Sequence, residues 1–429
     1  MNRWNVQQST SAVFVRKAAA FLAALALLSA PALTAALTLS GDSSTYVQSR
    51  QLSDKTRVIG GYEYLDFMVQ DLGSDTISFH TGGWLRYDFK GEEYGKRPND
   101  DLQYSYLSFK SKRDNTAVNL GRVMVFEGVA AERVDGMYAR TDLKGGIGVS
   151  AFAGQPVETN DTFPGNNLIY GARVSQQWQG VYRIGVSALK EEKNSTDYRK
   201  EGGVDLWVHP LTKVDITGRS TYNDVTKGWM EHAYTLMLGP FARLRLDTSV
   251  SMINYDDYFF RTTTPVFTLT PGVVTPHERM RMAGETVMFS ATDKLSLNAD
   301  YRNYDYSIAG RADYYGGSIK FSMPESGGAG ASYHRMKGET KALQYNEYRL
   351  YGYKKIAKIG ITLDAIDVVY DVPMNGVKDS YALSLAADYA LMNGLKLGGD
   401  VEFSHTPDFD RDVRALIKVL YHFGAKGGA

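Results

Sequence analysis

The densest chemistry in the chain lies in "LGRVMVFEGVAAERVDGMYARTDLKGG" (120–146), which brings Arg122, Glu127, Glu132, Arg133, Asp135 and Arg140 into one short stretch. Charges of both signs facing each other across a water-filled passage create a transverse field, which favours polar or charged solutes over apolar ones. The same charges would equally serve as ion pairs that hold a turn or a rim. A second set follows on three predicted strands: Arg243, Arg245 and Asp247, then Arg279, Arg281 and Glu285, then Asp300 and Arg302. Read by alternation, each group falls on the polar face of its strand and lines a lumen. A basic track with acidic partners would attract anionic solutes, so a modest anion preference is expected. Covalent chemistry finds little support. The seven His, at 80, 209, 232, 277, 334, 405 and 422, sit in no His-Glu-x-x-His or other metal spacing. There is no Gly-rich phosphate loop and no local Ser–His or Asp–His constellation. The reading is therefore not an enzyme, with no cofactor of its own and no metal.

Those charges need strands to position them. In "DSYALSLAADY" (379–389), Tyr381, Leu383, Leu385, Ala387 and Tyr389 oppose Ser380, Ser384 and Asp388. In "GLKLGGDVEFS" (394–404), Leu395, Leu397, Val401 and Phe403 oppose Lys396, Asp400 and Glu402. "KLSLNADYRNY" (294–304), "ARLRLDTSVSM" (242–252) and "TISFHTGGWLRYDF" (76–89) alternate in the same way. Strict period-2 alternation marks a strand with one apolar and one polar face. The segments run to about ten residues, the length with which a tilted strand crosses a bilayer, and many begin or end in an aromatic residue. From about 58 to 423 they predict 20–22 strands, with 40–70 and 112–145 hard to divide. Short joints ("LMNG" at 391–394, "ATDK" at 291–294, "WQG" at 178–180) contrast with longer polar ones at 90–101, 155–167, 190–198, 254–277 and 404–412. The stretch 254–278 is the longest and would be a lid or an inward-folded plug.

Composition agrees. The 42 Gly and 29 Tyr suit many strands joined by turns. Lys+Arg and Asp+Glu are both 48, without the basic excess of a nucleic-acid binder. Residues 1–36 have the pattern of a secretory signal: Arg16 and Lys17, the apolar run "AAAFLAALALL" (18–28), then small residues with cleavage after Ala32 or Ala36. Removing its Arg3, Arg16 and Lys17 leaves 45 − 48 = −3. The chain has no Cys, hence no disulfide and no Cys-x-x-Cys-His haem attachment, so any redox centre would come from a partner. Charged or polar residues interrupt every later apolar run, so a membrane-embedded mature chain must be a closed barrel. The expected organisation is a signal peptide (1–36), a periplasmic segment (37–56), an all-β antiparallel barrel (57–423) and a short tail (424–429).

The signal, the periodic strands and the closing "ALIKVLYHF" resemble the Gram-negative outer-membrane porins. In that family the last strand and its terminal aromatic residue are the signal read by the barrel-assembly machinery, a role that the resemblance gives to Tyr421 and Phe423. Six residues follow Phe423, where many porins stop. The resemblance places the chain in the outer membrane, with its lipid and the assembly machinery as partners. "GR" followed at a distance by "DG" (121–122 and 135–136) also loosely resembles a pattern in alginate-exporter-like barrels.

Several functions fit such a barrel. The first is an open channel for hydrophilic solutes. The second is a sheath around a multihaem c-type cytochrome, which resembles the porin–cytochrome conduits that carry electrons across the outer membrane. The third is polysaccharide export, and the fourth is a structural or adhesive barrel.

Overall fold

The computed structural model describes residues 37–52, 55–91, 99–113, 115–157, 167–258, 277–323, 326–409 and 411–426. The expected signal peptide and most of the 254–278 stretch lie outside these residues. The first eight strands are β1 (Thr38–Gln51), β2 (Arg57–Gln70), β3 (Ile77–Lys90), β4 (Asn99–Lys110), β5 (Thr116–Glu127), β6 (Ala130–Asp142), β7 (Ile147–Pro156) and β8 (Asn167–Trp178). The next seven are β9 (Tyr182–Lys193), β10 (Thr196–Leu211), β11 (Val214–Asn223), β12 (Gly228–Phe241), β13 (Leu244–Asn254), β14 (Arg279–Ser290) and β15 (Leu295–Tyr306). The last seven are β16 (Gly310–Met323), β17 (Gly327–Gly338), β18 (Gln344–Ile356), β19 (Ile359–Met374), β20 (Val377–Met392), β21 (Leu395–His405) and β22 (Asp412–Lys426). One helical turn, α1 (Tyr255–Tyr258), follows β13.

Every strand pairs antiparallel with its sequence neighbours, and β1 pairs with β22 from Thr38 opposite Lys426 to Ser49 opposite Ala415. The sheet is a closed barrel of 22 strands, the upper end of the expected range. Closure leaves no edge, the condition for a sheet to cross lipid. Among the described residues no helix is long and apolar enough to span a membrane.

Two boundaries are corrected. Residues 38–51, expected to precede the barrel, are its first strand, and Gly424–Lys426 extend the last one. The cause is the outer face of β1, which carries Gly41, Ser43, Thr45, Val47 and Ser49 and so shows little apolar alternation. Ser43 and Thr45 there donate hydrogen bonds of 2.7 and 2.5 Å to the Glu63 carboxylate on β2. The strand is held by its two neighbours, not by apolar side chains of its own.

Joints alternate between the two rims. The rim at which β1 starts and β22 ends has tight turns at 212–213, 242–243, 357–358 and 393–394, whereas the long joints, between β3 and β4, β7 and β8, and β13 and β14, connect strand ends of the opposite rim. Residues 190–198, expected as a loop, are instead a two-residue hairpin. Asn194 and Ser195 both have positive φ (51° and 62°), as do Asn375 and Gly376 (48° and 84°), the pair of values a type I′ turn requires.

The outer face carries a belt of apolar side chains: Leu383 and Leu385 on β20, Val401 on β21 and Ile417 on β22 are all exposed. Tyrosines edge it on one side. Tyr301 lies opposite Tyr315, and Tyr333 opposite Tyr348, with Tyr381 further round. Phe289, Phe321, Tyr389 and Tyr421 edge it on the other side, near the rim of the chain ends. An apolar band between two aromatic girdles is the form of a lipid-facing surface.

Candidate functional site: a hairpin folded into the lumen

β5 and β6 pair along their whole length, Thr116 opposite Thr141 to Glu127 opposite Ala130. Their outer partners stop short. β4 pairs with β5 only up to Ser105 opposite Arg122, and β7 pairs with β6 only from Val134 opposite Pro156. Residues 123–133 therefore leave the wall. They fold inward over β7–β10, because the Val129 amide donates to Ser187 Oγ on β9 (3.0 Å) and Glu132 meets Arg199 on β10 (2.8 Å). Ser187 and Arg199 lie on the lumen face, opposite in parity to the exposed Val186 and Val204.

Glycine permits the crease. Gly121, Gly136 and Gly154 lie side by side across β5, β6 and β7. A Cβ on Gly121 would come within 2.4 Å of the Ser105 carbonyl oxygen, one on Gly136 within 2.1 Å of that of Ala153, and one on Gly154 within 2.4 Å of that of Asp135. Gly121 also has φ +128°, a conformation that other residues avoid. The folded hairpin is glued by an apolar cluster. Val123, Val125, Ala130 and Val134 bury against Phe152, Ile169 and Leu189, the lumen-facing side chains of β7, β8 and β9. Burying each large side chain contributes about 1.5–3 kcal/mol. On the hairpin's other face Met124 and Phe126 are exposed, Phe126 by 70%.

Around this cluster runs a set of ion pairs. Arg122 donates to both Asp135 oxygens (2.7 and 2.8 Å) and to the Leu102 carbonyl (2.9 Å). Arg133 pairs with Asp101 at 2.5 Å, across the gap where β5 parts from β4. Arg199 meets three carboxylates, Glu132 at 2.8, Glu201 at 2.9 and Glu191 at 3.7 Å. Arg173 holds Asp205 with two hydrogen bonds and lies 3.7 Å from Glu127. Glu127 also accepts from Tyr138 at 2.6 Å and lies 3.8 Å from Arg140. Arg219 closes the row on Glu231 at 2.7 Å. Of these groups Glu132, Glu191, Arg199, Glu201, Arg219 and Glu231 line a cavity of about 450 Å³ beside the hairpin tip. At the adjoining rim, hydrogen bonds from Lys200 and Lys227 hold the Asp224 carboxyl down at about 2.

The second set of sequence-predicted residues divides. Arg245 and Asp247 share the lumen face and pair at 2.8 Å. Asp300 and Arg302 also face inward: Asp300 is 2.9 Å from His334, and the Arg302 guanidinium lies 5.8 Å from the Tyr314 ring centre. Arg243 is corrected: it sits in the two-residue turn before β13 and donates to the Ala291 carbonyl. Arg279, Arg281 and Glu285 are also corrected. Their partners on β13, namely Asn254, Met252 and Thr248, share a face with the exposed Leu244 and Val250, so all three are on the outside. The inward positions of β14 go to Met280, Met282, Thr286 and Met288. Glu285 is met there by the Thr248 hydroxyl and lies opposite girdle residue Tyr301. Tyr421 and Phe423 lie on the outer face with ring centres 6.0 Å apart, and Phe423 packs against Gly41 of β1.

The lumen also holds residues that the sequence reading passed over. Arg173, Arg199, Arg219, Glu191, Glu201 and Glu231 are part of the ion-pair row. Tyr-x-Tyr pairs at 62/64, 104/106, 304/306 and 351/353 all have inward parity. The repeated tyrosine spacing was the available signal, since two aromatic residues two apart on one strand must share a face.

A closed antiparallel barrel with an apolar belt, two aromatic girdles and a polar interior is an outer-membrane β-barrel protein. No family model matches the chain, and no curated protein matches it by sequence. Among solved structures it is similar to a mutant of the ferric enterobactin receptor PfeA of Pseudomonas aeruginosa (10% identity, 90% of this chain and 80% of that one, TM-score 0.57). It is also similar to the siderophore receptor PirA of Pseudomonas aeruginosa (11% identity, 90% and 80%, TM-score 0.54). OccAB4 of Acinetobacter baumannii aligns over 92% of this chain and all of its own, at 9% identity and TM-score 0.46. At such identities the likeness is one of fold alone.

Proposed function

We propose that the chain is a porin-type channel that passes hydrophilic solutes through a lumen narrowed by the β5–β6 hairpin. The observation that carries this reading is the hairpin itself. Its tip leaves the wall and buries one face on β7–β9, where Glu127 and Glu132 at the edge of that face meet Arg173 and Arg199 of the wall, while the other face, with Met124, Phe126 and Arg133, turns towards the interior. Charges of both signs at a narrowing favour polar solutes. Their balance at the tip argues against the expected anion preference. The cavity there is lined by Glu132, Glu191, Glu201, Glu231 and Asp257 against Lys193, Arg199 and Arg219, so 3 − 5 = −2. With Arg243, Arg279 and Arg281 outside the lumen, the basic track is lost and a weak cation preference replaces it.

The test is single-channel recording of the purified barrel in planar bilayers. Discrete ohmic steps with a cation-positive reversal potential are expected. A folded barrel that passes no current, and that co-purifies with a haem protein, would replace this reading with the sheath around a multihaem cytochrome.

A further inference from the structure

Away from the hairpin, the wall at β1–β3 is built differently. Tyr62 and Tyr64 on β2 stand two residues apart on the lumen face, their rings nearly parallel (13°) with centres 6.5 Å apart. Tyr46 on β1 meets Tyr64 edge-on at 5.6 Å, and Trp84 on β3 lies opposite Tyr64 in register. The Arg86 guanidinium lies 5.2 Å from the centre of the Tyr62 ring and is fixed by Asp88 at 2.7 Å. The four aromatic side chains and Arg86, together with Arg50, line a cavity of about 580 Å³, within the size range of small-molecule sites. The lining is unusual for a water-filled wall. Four aromatic rings share it with phenolic hydroxyls, two guanidinium groups and the Gln48 amide.

We propose that this wall is a binding subsite for a pyranose ring, so that the solutes of the channel include oligosaccharides. The proposal rests on the channel reading above and names a solute class for it. A sugar ring has C–H groups on its faces and hydroxyls around its edge. The electron-rich face of a tyrosine or tryptophan attracts polarised C–H groups, and the donors and acceptors around the cavity match the hydroxyl rim.

Trp84 supplies the readout. Titrating the folded barrel with maltohexaose or cellohexaose should quench its tryptophan fluorescence saturably, and Trp84→Phe should abolish that quench. The Tyr62→Ala/Tyr64→Ala double variant should weaken binding at least tenfold, whereas Tyr381→Ala on the outer face should leave it unchanged. Tyr62→Phe, which keeps the ring, should retain most of the binding, and heat-modifiable gel migration checks that each variant is folded. In bilayers, the same sugars should interrupt the current of the wild-type barrel but not that of the double variant. Current without quenching or interruption overturns the sugar subsite and leaves the channel standing. Quenching in a barrel that passes no current retains the subsite and overturns the channel. Quenching that survives the double variant in a folded barrel overturns the assignment to this wall.

Discussion

Arg122 and Asp135 face each other across β5 and β6, joined by two hydrogen bonds of 2.7 and 2.8 Å, next to the Gly121–Gly136 pair at which the hairpin leaves the barrel wall. The spaced "GR" and "DG" of the sequence are thus one structural unit. The glycines make the crease, and the fork of the guanidinium clasps it. Both side chains are mostly shielded, at 16% and 21% exposure, so the pair is screened less than a surface bridge. A double-mutant cycle with Arg122→Ala and Asp135→Ala should give a coupling energy of about 0.5–3 kcal/mol, the range for contacting residues. Additive losses in urea unfolding would show that the clasp is incidental.

The crease itself can be tested by adding one methyl group. Gly136→Ala places a Cβ about 2.1 Å from the Ala153 carbonyl oxygen, closer than packing allows, so the hairpin must shift. Destabilisation of about 1–3 kcal/mol is expected for such overpacking. Because the hairpin narrows the lumen, the variant should also conduct more per open channel. Unchanged conductance in a folded barrel would mean that the hairpin does not set the width of the path.

Selectivity should follow the carboxylates at the tip. Glu132→Gln with Glu231→Gln should move the reversal potential in a salt gradient towards anions. The shift should shrink in molar salt, where the Debye length is only about 3 Å. Arg281→Gln, on the outer face, should leave the reversal potential where it was. A larger effect at Arg281 than at the glutamates would reverse the assignment of faces on β14.

The lipid belt gives a comparison between adjacent residues. Leu385 points outward and is 53% exposed, while Ser384 lies on the lumen face opposite Glu402. Leu385→Arg should cost about 2–4 kcal/mol, the midplane penalty for a cation facing lipid. Ser384→Arg should cost far less, and equal losses in refolding titrations would show that the belt does not meet lipid there.

Closure should depend on the first strand. β1 supplies the partner of both β2 and β22, so a chain lacking residues 38–51 has two open edges. Open edges do not persist in lipid, where each unpaired backbone group costs several kcal/mol. The truncated chain should lose the heat-modifiable gel mobility of a folded barrel. A normal shift would mean that β2 and β22 can close the sheet by themselves.

By itself the sequence determined the class of protein and the faces of its most regular strands. Period-2 alternation is a local property: a strand such as "SYALSLAADY" needs no knowledge of its neighbours to put Leu383 and Leu385 on one side and Ser384 on the other. The contrast between tight turns and long joints was legible for the same reason, apart from the hairpin at Asn194 and Ser195. Tertiary structure decided what depends on distant pairing. β1 joins β22 across the whole length of the chain, and its polar outer face gave no local sign of a strand. Arg279 and Arg281 lie near the loop rim, past the girdle level that Tyr301 marks opposite Glu285. Water is present on both sides of a barrel there, so polarity no longer reports which side a residue faces. Near Arg122 the rule fails for another reason. The hairpin has left the wall, both of its faces lie within the barrel, and which residues meet is set by the crease at Gly121, Gly136 and Gly154, not by alternation.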